Sequence, residues 1–118
     1  MSEPLFRFET RGLVGVAHVL AGEIVHPDEL DRLRREFRDY VASTGLTGYV
    51  LDLSAMRLLT SAALGTLLNI HAHLKAERRR FAVVARDEMV VETLEHTHLE
   101  RVFLILNNVD MAVQAIEG

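Results

Sequence analysis

The sequence contains no cysteine. That excludes disulfides, thiolate metal sites and cysteine nucleophiles together. No apolar run approaches the roughly 20 residues that a membrane-crossing helix needs. The first ten residues carry two acids and one arginine and lack the apolar centre of a signal peptide, so a cytoplasmic location is expected. Basic charge is also short: 13 Lys+Arg stand against 17 Asp+Glu, a formal charge of -4. A nucleic-acid binder needs a basic face for phosphates, and none is evident. The one basic run, Arg78-Arg79-Arg80, lies beside Glu77 between apolar segments and reads as a solvated turn. Glycine patterns that cradle phosphates are missing, as is the nucleophile elbow of hydrolases. There is no internal repeat, linker or low-complexity segment.

What remains is an ordinary globular composition, 49% hydrophobic and 25% charged over 118 residues. This length favours one domain spanning residues 1–118, with enough buried surface for a core. Leu5 to Thr10 and Leu13 to Leu20 read as two strands joined by the tight Arg11-Gly12 turn, a hairpin in which Gly12 and Gly15 are hairpin glycines. Pro27, followed by Asp28 and Glu29, opens a helix; Leu30, Leu33, Phe37 and Val41 repeat at helical spacing up to Ser43-Thr44-Gly45. Tyr49 to Leu53 is a short apolar strand, suited to burial on both faces. Thr60-Ser61 precedes a helix from Ala62 to Ala76 with an apolar stripe of Leu64, Leu67, Leu68, Ile70 and Leu74. Phe81 to Ala85 is a further buried strand. Val90, Val91, Leu94 and Thr97 mark a third helix, Val102 to Leu106 a last strand, and Asn107-Asn108 cap a helix carrying Val109, Ala112, Val113 and Ile116. The order β-β-α-β-α-β-α-β-α predicts an α/β fold with a mostly parallel sheet.

Candidate chemistry is sparse. His71 and His73, two apart on a helix, diverge and cannot share one ion. His96 and His98, with Glu92 or Glu95, could be aimed together from an extended chain, but histidines near a helix C-terminus also complement its dipole. No metal or cofactor is expected. His18 reads as a half-buried histidine of a strand. Glu23 and Asp52 could meet at one sheet edge as an acid/base dyad, without a nucleophile or oxyanion hole to serve. The simpler role for Asp52 is accepting hydrogen bonds from the loop that follows it. The junction from Asp52 to Gly65 is more informative. A hydroxyl at Thr60 or Ser61 can cap the helix, a contact worth about 1 kcal/mol. A phosphoserine there would set about two negative charges against free N–H groups and the positive dipole end, while a docked partner would feel repulsion.

Tyr49-Val50-Leu51-Asp52-Leu53-Ser54, followed by Leu58-Leu59-Thr60-Ser61-Ala62-Ala63-Leu64-Gly65-Thr66-Leu67, resembles the signature of STAS domains of the anti-sigma-factor antagonist type. Leu20-Ala21-Gly22-Glu23-Ile24, Phe81-Ala82-Val83-Val84, Val91-Glu92-Thr93-Leu94 and Leu99-Glu100-Arg101-Val102-Phe103 extend the likeness over nearly the whole chain. The resemblance implies a single STAS-like domain with an opening hairpin, a mostly parallel mixed sheet and about four helices. It implies a non-enzymatic regulator that binds an anti-sigma factor which is also a serine kinase, and is released by phosphorylation. The matching acceptor is Ser61, with Thr60 as the alternative. The implied binding surface comprises Gly22, Glu23, Thr60, Ser61, Ala62, Ala63, Leu64 and Gly65. Thr60 stands where the family has aspartate, Ala63 where it has glycine, and Val25 where it has an acid. A second reading is a constitutive STAS subunit of a sensory assembly or a lipid ABC transporter. A third is a small enzyme using Glu23, Asp52 or His18.

Overall fold

The computed structural model describes residues 3–118. Strand β1 (Phe6–Arg11) turns at Gly12 and returns antiparallel as β2 (Val14–Val19), with Arg11 opposite Val14 and Phe6 opposite Val19. Gly12 takes φ of 60°, where a side chain would be strained. Gly15 lies in the second strand of the hairpin, opposite Thr10, where an added Cβ would stand 2.7 Å from the Tyr40 hydroxyl and the Tyr49 ring.

Helix α1 (Pro27–Thr44) starts at its proline, carries Asp28 and Glu29 in the first turn, and buries Leu30, Leu33, Phe37 and Val41. It stops at Gly45, whose left-handed backbone lets its N–H donate to the Val41 carbonyl at 3.0 Å. Strand β3 (Gly48–Asp52) is buried at every position, as its unbroken apolar run predicts. Helix α2 (Ser61–Ala76), β4 (Arg80–Val84), α3 (Glu88–His96), a 3-10 turn (Leu99–Arg101), β5 (Leu104–Leu106) and α4 (Val109–Glu117) complete the chain. Asp87 caps α3 by accepting from the Met89 and Val90 N–H groups, and Asn108 caps α4 by accepting from that of Met111.

The five strands lie in sequence order, with β2 to β5 parallel. One face packs on α1, α2 and α3 through a core including Phe37, Leu51, Leu67, Val83 and Leu94. The other packs Val14, Val16, Val50, Ala82 and Val84 against Ala112, Val113 and Ile116 of α4. This is the α/β architecture expected. Three local readings change. The last strand is only three residues long, because the chain from Leu99 to Arg101 coils into the 3-10 turn and leaves Val102 outside. Thr97 flanks α3 rather than joining its buried stripe. Arg78-Arg79-Arg80 is more than a solvated turn: Arg79 donates to the Leu46 carbonyl and the Tyr49 hydroxyl, and Arg80 to the Ile116 carbonyl.

Candidate functional site

At the C-terminal ends of the parallel strands, the β2–α1 and β3–α2 loops run side by side. The Arg57 N–H donates to the Gly22 carbonyl at 2.8 Å, tying them together. Buried Leu53, Met56 and Leu59 anchor the second loop from beneath. At its end the two candidate hydroxyls divide their roles. Thr60 is the N-cap, its Oγ1 accepting the Ala63 N–H at 3.1 Å. Ser61 is the first helical residue, exposed, and its hydroxyl has no hydrogen-bond partner among the described residues.

The outer face of α2 is unusual for a surface helix. From Ser61 to Leu74 it carries no Asp, Glu, Lys or Arg. Ser61, Ala62, Gly65, Leu68, Asn69 and Ala72 are exposed and Leu64 is half-buried, while Ala63, Leu67, Ile70 and Leu74 face the core. Leu68 was expected in the buried stripe; it lies one position off that stripe and points out. Ala63, expected on the binding surface, turns its methyl into the core, so the alanine adds nothing to the outer face. Gly65 sits within the helix at ordinary helical φ, and an added Cβ there would meet no atom within 4 Å. The face is therefore uncharged, with Ser61 and Asn69 as polar groups among small and apolar residues. Leu20, Val25 and Leu58, exposed in the two adjoining loops, extend the apolar surface. Gly22 is half-buried beneath Arg57, and Glu23 is exposed.

Asp52, buried at the end of β3, accepts from the Ser54 N–H at 3.0 Å and from the Ser54 hydroxyl, the loop-holding role read for it. Its other oxygen lies 2.6 Å from His18 Nδ1, and Glu9 Oε1 lies 2.7 Å from His18 Nε2. The hydrogen bond from His18 holds the Glu9 carboxyl below its ordinary range, against the opposing pull of desolvation and with help from Arg11. Glu23 takes no part, so the Glu23–Asp52 dyad does not form. The sequence carried a signal for this cluster: the hairpin register sets Glu9 diagonally across from His18, and parallel pairing sets His18 opposite Asp52. His96 and His98 pair separately with Glu92 and Glu100, at 3.4 and 3.6 Å. His71 faces Phe81 and Phe103 while His73 is exposed, so the two diverge as expected.

A model of the STAS domain matches residues 16–112, most of the chain. The chain belongs to the STAS domain family. A crystal structure of an anti-sigma factor antagonist from Mycobacterium paratuberculosis superimposes on this STAS domain with a TM-score of 0.82 at 26% identity, over 100% of each chain. An anti-sigma-factor antagonist (STAS) domain protein of Planctomyces limnophilus aligns at 0.79 with 20% identity, covering 96% of this chain and 98% of its own. The Bacillus cell-fate determinant SpoIIAA in its phosphorylated form aligns at 0.68 with 15% identity, covering 94% and 98%. At the last two identities the likeness is one of fold. Among the described residues of the STAS chain, no helix is long and apolar enough to cross a membrane.

Proposed function

We propose that this STAS domain is an anti-sigma-factor antagonist that docks an anti-sigma factor with serine-kinase activity, and that phosphorylation of Ser61 ends the docking. The docking surface is formed by Gly22, Glu23, Thr60, Ser61, Ala62, Leu64 and Gly65, with the Ala63 backbone beneath them. The observation that carries the reading is the division of labour at the junction: Thr60 caps the helix, which leaves the Ser61 hydroxyl exposed and unengaged at the edge of an uncharged helix face. A phosphate on Ser61 would meet the free N–H groups and positive dipole end of α2, so this fold tolerates it. A partner packed against Leu64 and Gly65 would have to bury about two negative charges, and binding would be lost. The similarity to a mycobacterial anti-sigma factor antagonist over the full length of both chains supports the same assignment. The domain acts by binding, with no catalytic step of its own and no cofactor, in the cytoplasm. Incubation with the cognate kinase and ATP, followed by peptide mass mapping, is expected to place one phosphate on Ser61. Phosphate on Thr60 instead would move the acceptor to the alternative hydroxyl, and an unmodified chain would refute the switch.

A further inference from the structure

A second surface lies two strands from Ser61, on the free edge of the sheet. Strand β5 pairs only with β4, and its outer side is open among the described residues. Leu106 accepts the Ala85 N–H at 3.0 Å and so faces β4. Parallel ladders alternate, so the Ile105 N–H and carbonyl point away from β4, toward the open edge. Sheet edges are usually guarded by lysine, proline or a bulge. Here the strand is Leu-Ile-Leu without any of these, and brevity is its only protection. The surrounding side chains are apolar and uncovered: Val102, Leu104 and Met111 are 43%, 47% and 47% exposed.

Beside this edge runs an open groove of about 640 Å³ between α3, the 3-10 turn, β5 and α4. Val91, Leu94, Ile105 and Met111 line it, and Glu95 and Glu100 stand at its rim. Arginine and lysine are absent from the lining, and the cation nearest Glu100 in an ion pair is the exposed His98 at 3.6 Å.

We propose that this edge and groove form a second docking site, for an extended, cationic segment of a partner protein that adds to the sheet beside β5. Strand addition supplies backbone hydrogen bonds to Ile105, alternate apolar side chains of the segment enter the groove, and its basic residues meet Glu95 and Glu100. The site is independent of the Ser61 junction, and stands or falls without it.

The test uses the full chain, isotopically labelled, and a blocked nine-residue peptide alternating lysine with valine; a version with glutamate for lysine is the control. Titration of the lysine peptide is expected to shift the amide resonances of Val91 to Glu95 and Leu104 to Met111, and to slow hydrogen exchange at Ile105. Ile105→Pro deletes the outward N–H without removing any bond to β4, and is expected to abolish binding. The pair Glu95→Gln and Glu100→Gln is expected to weaken binding about five-fold, the scale of two rim charges. That pair also keeps the test decisive should the proline variant fold poorly. Equal binding of the glutamate peptide, unchanged affinity in the variants, or shifts confined to other surfaces would overturn the proposal. So would a dimer of the free chain that Ile105→Pro dissociates, since the occupant would then be a second copy.

Discussion

Replacing Gly65 by alanine should make the protein more stable and less able to bind its partner. Glycine in a helix interior costs about 1 kcal/mol relative to alanine, through the larger backbone entropy lost on folding. Inside this chain nothing offsets that cost: the added methyl would meet no atom within 4 Å, and the residue's φ lies outside the left-handed region. Gly65→Ala should therefore raise the unfolding free energy by about 1 kcal/mol, or roughly 3–5 °C in Tm for a domain of this size. In urea the midpoint should move up with an unchanged slope. If the glycine is there because a partner backbone approaches α2 closely, the same methyl should weaken docking. Titration calorimetry with the partner reads that arm. An alanine that destabilised the fold would show an internal reason for the glycine and refute the structural argument. A stabilising alanine that left binding intact would refute the functional one.

Three other perturbations probe the fold beneath the site. His71→Phe should stabilise the protein by roughly 1 kcal/mol, because Nδ1 of His71 is buried without a partner between Phe81 and Phe103. Desolvation, with Lys75 nearby, lowers the His71 pKa from its ordinary 6.5, so its stability contribution is complete above pH 6.5 and is lost as pH falls toward the folded value. Thermal melts from pH 7.5 to 5 should decline more shallowly in the phenylalanine variant. Asp87→Ala removes the cap that accepts the Met89 and Val90 N–H groups at 2.9 and 3.2 Å, and should cost about 1 kcal/mol in a urea titration. Leu94→Ala, at a fully buried position, should cost about 2–5 kcal/mol in the same assay.

Most of the architecture was legible because its signals are local and periodic. The spacing of Leu30, Leu33, Phe37 and Val41 named the buried stripe of α1, and Pro27 and Gly45 marked its ends. Where reading failed, the deciding fact was tertiary. Leu68 looks like a core residue in a helix as apolar as α2, and only the packing geometry turns it outward. Gly15 reads as a hairpin glycine, but that its strand needs a glycine there shows only in the Tyr49 ring packed against it. The capping question between Thr60 and Ser61 could not be decided from residue type, since either hydroxyl can accept. It took the backbone, extended at Thr60 and helical at Ser61, to separate them. The Glu9–His18–Asp52 cluster required strand register, which pairs residues 9 and 34 positions apart in sequence.

The central claim is that one junction both docks the partner and is switched at Ser61. Affinity capture from the native host, with the unmodified chain and with Ser61→Asp, tests it most directly. The account predicts that an anti-sigma factor with kinase activity is retained by the first and lost by the second, while both chains melt within a few degrees of each other. Retention of the same partner by the aspartate variant would contradict it, and would favour a constitutive STAS subunit that assembles without a phosphate switch.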